Sequence, residues 1–157
     1  MKFFQKSSLL SLNKRYNSSF LMKNQFLKVN DQIKDAVLDN KPVVALESTI
    51  ITHGLPYPNN YETALEVENV IRNEGGIPAT IAFLNGMLRV GLTKEEIELV
   101  AKSSIKNEAV KISRRDLSYI LSSKSNSLIG GTTVSATMIA AEAANIPIFI
   151  TGGQYLS

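Results

Sequence analysis

Apolar positions along this chain recur with two periods. Val43–Leu46 is a wholly apolar run of four, the length and character of a short central strand covered on both faces. Residues 78–84, 109–112 and 146–150 read in the same way. Between these runs the spacing is helical. Asp31–Leu38 predicts a short helix ending near Asp39-Asn40-Lys41-Pro42. Ala64, Leu65, Val67, Val70 and Ile71 predict a longer one, capped by Asn59 or Asn60 and ended by Gly75-Gly76. Thr93 and Glu96 form the capping-box pattern before a helix with Ile97, Val100 and Ala101 on one face. Asp116 is the expected cap of a helix holding Leu117, Ile120 and Leu121, and an Ala-rich helix is expected over 135–144. Asn85-Gly86 is a favoured hairpin turn, so Met87–Val90 should return antiparallel to 78–84. Strands alternating with helices predict an α/β layered fold with a mostly parallel sheet. The last strand runs into Thr151-Gly152-Gly153 and the sequence stops four residues later, so the expected fold is truncated at its C-terminal side.

Composition narrows the chemistry. With 157 residues, 44% of them hydrophobic, there is room for one domain with a true core. No apolar run approaches the ~20 residues of a membrane helix, so no membrane partner is expected. The absence of cysteine excludes disulfides and thiolate chemistry, and the single histidine excludes a His-rich metal site. The net charge of +3 conceals an asymmetry. Residues 1–28 carry six basic side chains (Lys2, Lys6, Lys14, Arg15, Lys23, Lys28) and no acid, leaving a body with 11 basic and 14 acidic residues. A mildly acidic body does not suit nucleic acid. The basic stretch, rich in Ser, Asn, Phe and Leu, has the composition of a mitochondrial presequence, with a disordered leader on a cytoplasmic protein as the alternative. Residues 30–157 are then the folded portion.

Three segments could carry chemistry. In Val43–Leu46 followed by Glu47, Ser48 and Thr49, a buried strand delivers a carboxylate to its C-terminal end, where Glu47 is a candidate general acid. His53, beside Gly54 and Pro56, is either an acid–base group or a side chain that hydrogen-bonds the turn. Lys111 interrupts an apolar strand and is followed by Ser113, Arg114 and Arg115. That cluster suits an anion, or else a solvated helix start. Gly130-Gly131-Thr132-Thr133 precedes a helix, so its backbone N–H groups and hydroxyls could meet a phosphate, unless it is only a tight turn. Together the three suggest one site for a sugar phosphate or nucleotide.

In this order and spacing, the segments A-L-E-S-T-I-I-T-H-G-L-P-Y-P, I-P-A-T-I-A-F-L-N-G, V-K-I-S-R-R-D and G-G-T-T-V-S-A-T-M-I-A-A resemble the pseudouridine-5′-phosphate glycosidase family over residues 32–153. The resemblance implies reversible cleavage of the C–C glycosidic bond of pseudouridine 5′-phosphate to uracil and ribose 5-phosphate, a divalent metal (typically manganese), and a homotrimer. It puts Glu47 at the proton donor and Lys111 and Val134 at substrate contacts, to which the anion argument adds Thr132 and Thr133. A carbon leaving group is poor, so paired carboxylates alone would not suffice. The family opens the ribose and attacks C1′ with a lysine to form an imine. That lysine and the metal-binding aspartate lie after the family's T-G-G segment, where this sequence has only Gln154 to Ser157, and Lys124, in a Ser/Asn loop, is no substitute. The expectation is an inactive fragment; the alternative is a non-catalytic sugar-phosphate-binding or subunit-interaction module.

Overall fold

The computed structural model describes residues 26–106, 108–123 and 127–152. In chain order the elements are β1 (Leu27–Val29), α1 (Asp31–Leu38), β2 (Val43–Leu46), α2 (Thr49–His53), α3 (Asn59–Asn73), β3 (Ile77–Leu84), β4 (Met87–Val90), α4 (Lys94–Lys102), β5 (Val110–Ile112), α5 (Arg114–Ser123), β6 (Gly130–Thr132), α6 (Val134–Ala143) and β7 (Ile148–Ile150). The seven strands form one mixed sheet in the order β1-β4-β3-β2-β7, with β6 joined to β3 and β5 joined to β6. Four of its pairings are parallel, and only β3–β4 and β3–β6 are antiparallel. The α/β fold with a mostly parallel sheet is what the alternating pattern predicts.

β3 holds the sheet together. Its first half pairs with β2 through Ile77 to Thr80, and its second half pairs with β4 through Ile81 to Leu84. Because β4 takes one edge of that second half, β6, at Ala82 and Phe83, takes the other, continuing the line of β2. Period-two alternation then splits β3 between two helical layers. Ala79, Ile81 and Phe83 pack with Ile33 and Ala36 of α1, Leu117 and Ile120 of α5, and Ala136 and Ala140 of α6. On the other face Ala82 and Leu84 pack with Ile51 of α2, Ala64 of α3, and Ile97, Val100 and Ala101 of α4. β2 is buried on both faces.

Local chemistry explains most element ends. Asn30 caps α1 by accepting from Gln32 N–H at 3.0 Å. The Thr93–Glu96 capping box is fully formed. Asn85 and Gly86 both take positive φ, as the predicted turn requires. α5 begins at Arg114, ahead of the expected cap. Asp116 instead reaches back from the first turn, its carboxylate accepting from the N–H and hydroxyl of Ser113 at 2.8 and 2.6 Å, which holds its carboxyl below its ordinary pKa.

Three elements depart from the sequence expectation. β1 includes Leu27 and Lys28, the last two residues of the stretch set apart by charge, so the fold begins inside it; the rest of that stretch, up to residue 25, lies outside the described residues, as do Lys124 and 153–157. α2 is a helix of five residues where no element was expected. The Gly130–Thr132 segment is a fully buried strand, not a loop, and neither glycine has positive φ.

Candidate active site

β2 ends at Leu46, and the next residue, Glu47, emerges half-buried at the C-terminal edge of the sheet. Its Oε1 accepts a hydrogen bond from the hydroxyl of Thr151, just past β7. The pairing of β2 with β7, Leu46 opposite Ile150, brings the two together. Glu47 opens onto a cavity of about 630 Å³ between the sheet edge, α2 and α3. Ile50, Leu55, Val67 and Ile150 supply apolar wall, while Thr49, Thr63, Thr80 and Thr151 supply hydroxyls.

Lys111 lines the same cavity. It is the exposed middle residue of β5, in register with Gly131 of β6. Gly131 lets this happen. A Cβ there would lie 2.1 Å from Thr52 Oγ1 and 3.0 Å from the Ser48 carbonyl oxygen, so only a residue without a side chain allows α2 to rest on β6. With α2 seated so closely, His53 at its end reaches the cavity beside Lys111. His53 Nδ1 is 2.6 Å from Thr52 Oγ1. Partial burial and the Lys111 ammonium hold the imidazole below its ordinary pKa, and a hydrogen bond to the Ala109 backbone acts in the opposite sense.

The expected phosphate loop is placed differently. Thr132 is fully buried. Its hydroxyl donates to the Ile81 carbonyl at 2.7 Å and accepts from Thr137 Oγ1 at 2.9 Å, while its N–H donates to Ser48 Oγ at 2.9 Å. Its hydrogen-bonding capacity is spent inside the protein. Thr133 precedes α6, with its N–H on the Ile112 carbonyl and its hydroxyl 3.3 Å from Ser135 Oγ. Neither these two nor Val134 lines the cavity holding Glu47 and Lys111. The Gly-Thr segment supports that site from beneath: Thr49 Oγ1 donates to the Thr132 carbonyl at 2.9 Å, fixing the start of α2. Arg114 lines a separate depression with Ser135, Met138 and Ile139 of α6.

Sequence reasoning missed Asn60 and Glu68. Asn60, read only as a possible helix cap, is 2% exposed. Its amide donates to the carbonyls of Ile51 at 2.7 Å and Ala101 at 3.0 Å, tying α2 to α3 and α4. Glu68 is 3% exposed and accepts from Thr80 Oγ1 at 2.6 Å and Arg72 at 2.7 Å, fixing one hydroxyl of the cavity wall. The available signal was a glutamate on the apolar stripe of α3, three residues before Ile71. For the divalent metal that the resemblance implies, no group of three or more His, Asp or Glu side chains able to hold an ion occurs among the described residues, so those residues do not fit it.

The family model described as Indigoidine synthase A like protein matches residues 32–154. Among curated proteins, the chain is 56% identical to a pseudouridine-5′-phosphate glycosidase of Clostridium botulinum over 84% of this chain and 41% of that protein. It is 49% identical to that of Escherichia coli K12 over 82% and 40%, and 53% identical to a pseudouridine-metabolizing bifunctional protein of Schizosaccharomyces pombe over 81% and 16%. Among solved structures, the prealnumycin C-glycosynthase AlnA in complex with ribulose 5-phosphate superposes with a TM-score of 0.69 at 42% identity, covering 83% of this chain and 40% of that one. An indigoidine synthase A-like protein of Thermotoga maritima gives 0.67 at 26% identity, covering 82% and 40%. The chain thus spans about 40% of the length of the glycosidases it matches. It belongs to the indigoidine synthase A like family, that of the pseudouridine-5′-phosphate glycosidases.

Proposed function

We propose that this chain supplies the acid and part of the sugar-phosphate grip for reversible C–C glycosidic cleavage of pseudouridine 5′-phosphate to uracil and ribose 5-phosphate. One observation carries the reading: Glu47 and Lys111, 64 positions apart in sequence, line a single cavity. Glu47 donates a proton to the ribose ring oxygen as the ring opens, and the Thr151 hydroxyl orients its carboxyl. Lys111 neutralises the phosphate. The apolar wall limits water around both. A ribulose 5-phosphate complex of a structural neighbour supports a sugar phosphate as the ligand class.

The resemblance puts the nucleophilic lysine and the metal-binding aspartate beyond the T-G-G segment, outside the stretch that carries Glu47 and Lys111. Manganese and the homotrimer belong to this proposal only through the sequence resemblance. The 157-residue chain, purified alone and supplied with pseudouridine 5′-phosphate and manganese, is expected to release no uracil by chromatography. Turnover that persists in Glu47→Gln would overturn the assignment of the acid; turnover abolished by that change would show that a nucleophile lies within these residues. Import into mitochondria is the companion proposal from residues 1–28. A fluorescent fusion of those residues should localise there, and diffuse cytoplasmic signal would refute it.

A further inference from the structure

Four threonines line the cavity that holds Glu47 and Lys111, and the hydroxyls of three of them point their protons into the protein. Thr49 Oγ1 donates to the Thr132 carbonyl at 2.9 Å, Thr80 Oγ1 to Glu68 Oε1 at 2.6 Å, and Thr151 Oγ1 to Glu47 Oε1. A hydroxyl carries one proton and two lone pairs, so each of these has only lone pairs left for a ligand. Thr80, on β3, is the most deeply buried of the three, at 2% exposed. The direction of its bond is fixed by partners that cannot reverse. Arg72, which can only donate, holds Glu68 Oε2 at 2.7 Å, and the other carboxylate oxygen accepts from Thr80. Glu68 does not line the cavity, so Thr80 carries its polarity there. Among the described residues nothing donates to Thr80 Oγ1 in return.

We propose that Thr80 is a specificity-determining residue: Glu68 makes its hydroxyl an obligate acceptor, which selects a ligand that donates a hydroxyl proton at the floor of the cavity. The inference rests on the reading of this cavity as a sugar-phosphate site and extends it to the hydroxyl end of the ligand. The same polarity at Thr49 and Thr151 suits a polyol, all of whose hydroxyls can donate. A base that alternates N–H with carbonyl groups would set carbonyls against these acceptors. A buried acceptor that meets a ligand hydroxyl discriminates against the analogue lacking that proton, because the acceptor is then left unpaired.

The test is calorimetry of the 157-residue chain with ribose 5-phosphate and with its 2-deoxy-2-fluoro and 3-deoxy-3-fluoro analogues. Fluorine takes the place of the hydroxyl but cannot donate. One of the two analogues should bind about threefold to tenfold more weakly than ribose 5-phosphate, as loss of one hydrogen bond implies. In Thr80→Val that analogue and ribose 5-phosphate should bind within about twofold of each other, whereas Thr80→Ser, which keeps the hydroxyl, should retain the discrimination. Glu68→Gln reverses the bond. Its amide oxygen must face Arg72, so its NH2 faces Thr80 and releases the Thr80 proton to the cavity, and the discrimination should again shrink to within about twofold. Amide NMR spectra of each variant establish that it folds. Discrimination that survives in a folded Thr80→Val, or that is unchanged in a folded Glu68→Gln, would overturn the inference. If the parent chain does not bind ribose 5-phosphate, the sugar-phosphate reading falls and the inference with it; if it binds ribose 5-phosphate and both fluoro analogues alike, only the inference falls.

Discussion

A methyl group at position 131 would have to displace Thr52 and the Ser48 carbonyl together. The second of these is backbone and cannot turn away. Gly131→Ala should cost about 1–3 kcal/mol by overpacking and, in lifting α2, weaken ligand binding as well. Thermal unfolding and ribose 5-phosphate calorimetry of one preparation would check both effects. Thr132→Val separates support from contact: removing a hydroxyl that donates to Ile81 and accepts from Thr137 should lower stability by about 1–3 kcal/mol and leave affinity in the surviving folded fraction nearly unchanged. His53 also sets a pH dependence. Its pKa in the fold is depressed, so the unfolded chain binds more protons in the window below about 6.5. Its contribution to stability is present above that value and is lost as pH falls through the folded pKa. His53→Gln should flatten that part of a stability–pH profile from chemical denaturation. At this scale the sequence was legible where a residue's type clashes with its surroundings, as with Glu47 after four apolar residues and Lys111 inside an apolar strand. It was not legible for Thr132, because a threonine after a Gly pair looks the same whether its hydroxyl faces a ligand or the Ile81 carbonyl.

Whole elements were readable in proportion to their periodicity. Val43–Leu46, Met87–Val90 and Asp31–Leu38 have the bounds that pattern and turn chemistry predict. α2 and β6 do not announce themselves. α2 is five residues long and begins in a Ser-Thr stretch that suits a loop equally well. β6 is Gly-Gly-Thr, whose poor intrinsic strand preference is overridden by burial between β3 and β5. These two elements bring His53 and Lys111 together, so the least legible part of the fold is the part that assembles the site. Asn60 holds α2 in place from the other side. Asn60→Leu would strand the carbonyl of Ile51, while that of Ala101 keeps the Ser104 hydroxyl, and should cost about 1–3 kcal/mol. Amide hydrogen exchange should accelerate first in α2 and at the end of α4, and uniform acceleration across the sheet would argue against this local role.

On the scale of the molecule, the sheet ends in β7, paired on one edge with β2 and with no second partner among the described residues. Ile148 and Ile150 remain 42% and 49% exposed. An apolar strand edge is a template for association. The chain should self-associate with rising concentration in analytical ultracentrifugation, and Ile148→Lys, away from the cavity lining, should suppress this. β7 also holds a partner of the acid. Thr151 and Glu47 are 104 positions apart, so a ribosome adding ~5–20 residues per second makes the carboxylate roughly 5–20 seconds before the hydroxyl that orients it. Throughout that interval the nascent chain carries the Glu47 carboxylate without the Thr151 hydroxyl that binds it. This contact is therefore completed only once β7 has been made, whatever the order in which the core condenses.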